Sequence, residues 1–252
     1  MNSTPIVTGG TGGLGTAIVR RLLDDGWRVV VPWVVEDELQ RAEQRLGDPG
    51  AAHSGEAGGR AGRKPEGLEL VQADLFEAGD VEEVVRAAAG GDGEGAPVRG
   101  LVNLVGGFAA GTRVHETPIE EFEKQFRLNL RATYLMTQAV LPTMLDHGGG
   151  SIVCVGTRAA VQPFSGAAGY ISSKAAVIAF AQAVAVEYRD DGIRCNAILP
   201  SVIDTPANRA SMPNADHDRW VKPAEIAGVI AFLLSDDSSP TSGAAVPVYG
   251  RA

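Results

Sequence analysis

The chain has 252 residues, with 22 Lys and Arg against 31 Asp and Glu, for a formal net charge of −9. That length holds one large α/β domain or two small ones and can bury a substantial core. The acidic balance speaks against nucleic acid and anionic membrane surfaces as partners.

Short β-rich runs alternate with helical patterns from end to end. The apolar stub Pro5-Ile6-Val7 predicts a first strand over 5–8. It leads into the glycine-rich turn Thr8-Gly9-Gly10-Thr11-Gly12-Gly13-Leu14-Gly15 and then an amphipathic helix near 14–25. Strand, glycine turn and helix in that order form a phosphate cradle, because glycines admit the ligand's backbone and the helix N-terminus offers free N–H groups. Further strands are predicted over 28–31, 68–73, 101–105, 151–155, 194–199 and 245–248, with helices near 36–46, 80–89, 118–146, 170–188 and 223–234. Strands this apolar, separated by helices, predict a doubly wound parallel sheet of Rossmann type in a single domain, covered on both faces. The ligand then sits at the carboxyl ends of the strands.

The stretch 47–67, packed with Gly and Ala plus Pro49 and Pro65, lacks apolar periodicity and is expected to be a flexible surface insertion. A shorter loop of the same kind covers 90–95. No apolar run is expected to reach the length of a membrane span, and the segment before the first strand has no secretory character. Cys154 and Cys195 lie in apolar strand-like runs without metal spacing. They are expected to be buried free thiols in a reducing, cytoplasmic setting. His115, His147 and His217 share no spacing that would hold a metal.

The chemistry concentrates at Tyr170-Ile171-Ser172-Ser173-Lys174. Four residues of separation put the phenol and the ammonium on one helix face. A free phenol, with a pKa of about 10, is a poor base at neutral pH, and a neighbouring cation is expected to lower that value. With the glycine turn to hold a dinucleotide, the pair points to redox chemistry on alcohols and carbonyls. The helix that follows is apolar from Ala175 to Val186 except at Gln182, on all faces. Such a helix needs cover on two sides, so a partner subunit is expected, with Val184 facing it.

These motifs together resemble the classical short-chain dehydrogenase/reductase family over essentially the whole chain. Thr8, Gly9, Gly13 and Gly15 match its Thr-Gly-x-x-x-Gly-x-Gly turn, although Gly9, Gly12 and Gly15 also satisfy the Gly-x-x-Gly-x-x-Gly of its longer extended branch. The resemblance implies that Gly9, Thr11, Gly13, Leu14 and Gly15 bind the dinucleotide, Asp74 and Leu75 meet its adenine, and Asn103 and Gly106 close its fourth-strand segment. Pro200, Ile203 and Thr205 would flank the nicotinamide. Tyr170 would be the general acid or base, with Lys174 lowering its pKa and binding the ribose, and Asn129 connecting Lys174 to bulk through a water. The implied cofactor is NAD or NADP, the substrate a small alcohol or carbonyl compound, and the assembly a homodimer or homotetramer.

Three departures from the family pattern bear on function. The substrate-orienting serine is replaced by Thr157, thirteen positions before Tyr170, which keeps the hydroxyl and adds a stiffer methyl. Trp33 stands near the position where an acidic residue selects NAD or an arginine selects NADP, leaving both open. The lid near 205–222 is short, with Phe108, Arg158, Phe164 and Met212 as candidate pocket walls. An NAD(P)-dependent oxidoreductase acting on a secondary alcohol, ketone or 3-oxoacyl group is the leading reading. A dinucleotide-binding regulator that has lost turnover is the alternative, supported only by Gly156 and Thr157.

Overall fold

A computed structural model describes residues 3–47, 65–90 and 96–251. The strands are β1 (Pro5–Thr8), β2 (Val29–Trp33), β3 (Leu68–Gln72), β4 (Gly100–Asn103), β5 (Gly150–Val155), β6 (Ile193–Pro200) and β7 (Ala245–Val248). The helices are α1 (Gly13–Asp24), α2 (Glu36–Gly47), α3 (Ala78–Ala88), α4 (Ile119–Phe126), α5 (Ala132–Asp146), α6 (Ala168–Glu187), α7 (Pro206–Ser211) and α8 (Pro223–Leu234). All strands pair in parallel in one sheet of order β3-β2-β1-β4-β5-β6-β7. The expected insertion at 47–67 and the loop at 90–95 fall mostly outside the described residues.

The sheet separates two apolar layers because strand side chains alternate between faces. Ile6, Val30, Leu101, Ile152 and Ala197 enter one layer with α3, α5 and α6. Their neighbours Val7, Val31, Val102, Val153 and Ile198 enter the other with α1 and α8. Both layers exclude water from their largest residues, among them Ile18, Met136 and Ile230. Burying each such side chain contributes roughly 1.5–3 kcal/mol. Pro32 sits within β2, where a missing N–H would break a ladder. It is tolerated because β2 pairs β1 only at Val30, with β1 turning away into the glycine loop soon after.

Two expectations about helices are corrected. The α6 helix is by length and composition apolar enough to cross a membrane. Here it packs on β5 and β6 as a core helix, with Val177, Ala181 and Ala185 buried in the same layer as Ile152. Val184, expected to face outward, is 3% exposed and faces that core. The outward stripe of α6 is instead Ala176, Ala179, Ala183 and Val186, spaced as successive helical turns. The predicted single helix over 118–146 is a continuous helical segment interrupted by a π turn, Arg127–Arg131.

Candidate active site

The carboxyl ends of β1, β4, β5 and β6 converge on one cleft, at the point where strand order reverses between β1 and β4. The β1–α1 turn forms its floor. Gly9 has φ of 65°, a left-handed conformation that glycine adopts without strain. A Cβ on Gly15 would lie 2.1 Å from the Gly9 carbonyl oxygen, so the loop closes this tightly only with glycine there. The first turn of α1 has neither a side-chain cap nor an acidic residue. Its backbone N–H groups and positive dipole end therefore meet no acidic side chain of their own turn, which fits a pyrophosphate. Thr11 is buried within the turn, and Leu14 packs from α1 onto the apolar layer behind it.

Thr205 faces this turn, since a Cβ on Gly13 would lie 3.4 Å from its methyl group. Its hydroxyl accepts from Asn208 N–H at 3.3 Å and so starts α7, a helix absent from the sequence-based expectation. Ile203 bridges Val221, and its carbonyl accepts from the Asn208 amide at 2.8 Å. These bonds fix the segment after Pro200 over the glycine turn. Trp33 ends β2 half-buried, and its carbonyl accepts from Ala73 N–H.

At two other expected cofactor contacts the side chains are engaged by protein. The Leu75 side chain is buried in the core, and Asp74 uses one carboxylate oxygen to accept from Phe76 N–H at 3.0 Å, bracing its own turn. The Asn103 side chain is likewise engaged by protein. Its side chain points behind the cleft, donating to Thr137 Oγ1 at 3.2 Å and reaching Cys154 Sγ at 3.8 Å. It ties α5 to the sheet, a role that the strand-end position alone does not reveal.

The reacting groups surround Gly106. A Cβ at that position would lie 2.5 Å from Asn129 Oδ1 and 3.0 Å from Lys174 Nζ. Only glycine fits without moving one of them. Asn129 is fully buried in the π turn, the kind of irregularity that recurs at functional sites. Its Oδ1 accepts from Gly107 N–H at 2.9 Å, and its Nδ2 donates to Gly107 O at 3.1 Å and to Ser173 Oγ at 2.9 Å. Both of its amide hydrogens are therefore used by protein, while Oδ1 keeps a second lone pair. Ser173 in turn donates to the Tyr170 carbonyl at 2.8 Å, which locks the π turn to the first turns of α6. Sequence reasoning passed over Ser173, although its place within the Tyr-x-x-x-Lys run was the available signal.

Lys174 is 7% exposed and donates from Nζ to the Val155 carbonyl at 2.8 Å. Burial depresses its pKa to about 8, offset in part by Cys154. Tyr170 stands against the edge of Phe108, ring centroids 4.9 Å apart. Burial raises the Tyr170 pKa, and a hydrogen bond from Thr157 counteracts part of that rise. The expected lowering by Lys174 is thus not what this geometry gives, because desolvation outweighs the other influences and the ammonium is engaged with Val155. Thr157 ends the β5 segment, caps the turn Arg158–Ala160 by accepting from Ala159 N–H at 3.3 Å, and meets Tyr170. Among the described residues, no cluster of His, Cys, Asp or Glu could hold a metal ion.

Residues 3–216 match the family model for short chain dehydrogenases. The chain belongs to that family. It is 31% identical to the 2-(R)-hydroxypropyl-CoM dehydrogenase of Xanthobacter autotrophicus, over 99% of this chain and 98% of that protein. The structure of levodione reductase superposes with a TM-score of 0.84 at 28% identity, covering 99% of this chain and 97% of that one. A 3-ketoacyl-(acyl-carrier-protein) reductase from Brucella melitensis, solved with NADH, gives a TM-score of 0.79 at 27% identity, over 99% and 98% of the two chains. The protein is an oxidoreductase enzyme of the short-chain dehydrogenase family, working by hydride transfer with NAD or NADP.

Proposed function

We propose that the enzyme interconverts a secondary alcohol and a ketone, or a 3-oxoacyl group and its hydroxy form. The observation that carries this reading is the Thr157 hydroxyl close enough to act on the Tyr170 phenol, thirteen residues apart in sequence, beside a buried Lys174. It supports two O–H groups converging on one substrate oxygen. The dinucleotide supplies or takes up the hydride. Gly9, Thr11, Gly13, Leu14 and Gly15 hold its phosphates, and Ile203, Thr205 and Lys174 hold its nicotinamide end.

In the reducing direction Thr157 and Tyr170 both donate to the carbonyl oxygen, and Tyr170 gives up its proton as the carbon is reduced. The oxygen becomes a hydroxyl, and the phenolate is stabilised by the Lys174 charge. Lys174 then reprotonates Tyr170, with Asn129 and a water linking Lys174 to bulk. A raised phenol pKa keeps Tyr170 a proton donor at neutral pH, which favours reduction there and oxidation in more alkaline solution. A regulator without turnover has little support, since Asn129, Tyr170, Lys174 and a hydroxyl at 157 all occupy one cleft.

We further propose a homodimer or homotetramer built on the outward stripe of α6, as expected from its sequence. Val186 on that stripe is 64% exposed, and Tyr134 of α5 packs beside Phe180 next to it, 5.8 Å between ring centroids. The two buried, unbridged cysteines suit a cytoplasmic setting. The test of activity is a panel of ketones and acyl thioesters with NADH and NADPH, followed by loss of reduced-nicotinamide absorbance. Turnover of a ketone or 3-oxoacyl compound is expected, and none with either dinucleotide would overturn the reading.

A further inference from the structure

The connections that follow β4, β5 and β6, all leaving the carboxyl end of the sheet, carry exposed apolar side chains. Phe108 from the β4–α4 connection is 67% exposed, Phe164 from the β5–α6 connection 48%, and Met212 after α7 37%. Arg158 stands in the β5–α6 connection, one residue after Thr157. Its guanidinium is fixed from two directions. Nε donates to Gln162 Oε1 at 2.8 Å, and Cζ lies 5.0 Å from the Tyr249 ring centroid. Tyr249 is itself anchored, its carbonyl accepting from Ser201 Oγ at 2.7 Å. Cation–π contact and a neutral amide hold a cation in place without neutralising it.

Among the described residues, no carboxylate pairs with Arg158, and its Nη groups have no protein acceptor. The lid's Arg209 differs sharply, because Asp204 binds it through both carboxylate oxygens. A half-buried guanidinium held by uncharged partners is a preorganised fork for a carboxylate, sulfonate or phosphate, and most of its ordering cost is met before a ligand arrives.

We propose that Arg158 is a specificity-determining residue that binds an anionic group on the substrate, a few bonds from the reacting carbonyl. The inference rests on the hydride-transfer reading above, since that reading puts the carbonyl at Thr157 and Tyr170. The preferred substrate is then an amphipathic ketone, its apolar aryl or alkyl part against Phe108, Phe164 and Met212 and its anionic end at Arg158. The competing role is structural, with Arg158 merely fastening the Tyr249 segment.

Matched substrates separate the two roles. The holoenzyme is assayed with 4-acetylbenzoate against 4-acetylbenzamide, and with 5-oxohexanoate against 5-oxohexanamide. Wild type is expected to favour the anion at least tenfold in kcat/KM. Arg158→Gln should collapse that ratio through KM for the anion, and Arg158→Lys should restore part of it. A structural role would raise KM for both members of each pair and leave the ratio intact. Wild type that shows no preference for the anions, or an unchanged ratio in Arg158→Gln, overturns the proposal. An enzyme that binds reduced dinucleotide yet reduces no ketone of any kind overturns the hydride-transfer reading itself, and this inference with it.

Discussion

Lys174 makes a quantitative demand on stability. Its pKa falls from 10.5 to about 8 on folding because its ammonium is buried. At neutral pH the folded protein therefore carries a charge whose burial costs about 3 kcal/mol relative to the neutral amine. Between pH 8 and 10.5 the unfolded chain binds the proton more tightly than the folded one, so stability rises with pH across that window and the penalty is relieved. Lys174→Met keeps the length of the side chain and removes the charge. It also removes the donor to the Val155 carbonyl, and leaving that acceptor unpaired costs about 1–3 kcal/mol. The variant should therefore lie between equal stability and about 2 kcal/mol above wild type at pH 7. The difference should move by about 2.5 kcal/mol in favour of wild type between pH 7 and pH 10, leaving the variant the less stable of the two there. Urea unfolding of both proteins at one concentration, at several pH values across this range, measures the difference directly. Turnover should be lost in the same variant, so any gain in stability comes at the expense of function. If the stability difference is independent of pH, Lys174 titrates normally in the folded protein and the argument fails.

Two further outcomes follow from the site and the assembly. Thr157→Ser should keep activity, whereas Thr157→Ala should lose on the order of a hundredfold in kcat, the loss of one transition-state donor; an Ala variant as active as wild type would mean that another group orients the substrate. Ala183→Glu, on the outward stripe of α6, should drive the oligomer toward monomer in light scattering by burying an unpaired charge at the contact, and a wild-type protein that is already monomeric at micromolar concentration would refute the interface.

The alternating apolar runs and the glycine turn were enough to place all seven strands, since buried parallel strands announce themselves by composition alone. Tyr170 and Lys174 stood out by their helical spacing, whereas Asn129 and Thr157 were expected only from the resemblance to the family. What escaped depends on three-dimensional neighbours. The rotation of α6, which turns Val184 inward, cannot be read from a helix that is apolar on every side. The inward turn of Asn103 and Leu75 depends on which elements pack behind the sheet. The upward shift of Tyr170 is a desolvation effect, set by the burial of its ring rather than by the lysine four residues on. The hold of Tyr249 on Arg158 joins residues 91 positions apart, beyond the reach of any local pattern.

The central claim is that Tyr170 exchanges the proton that accompanies hydride transfer. The most direct test is single-turnover reduction of a ketone substrate by the Tyr170→Phe variant, alongside its affinity for the reduced dinucleotide. The account predicts dinucleotide affinity close to that of wild type and turnover reduced to background, since only one hydroxyl is removed. Turnover within a few-fold of wild type would contradict it.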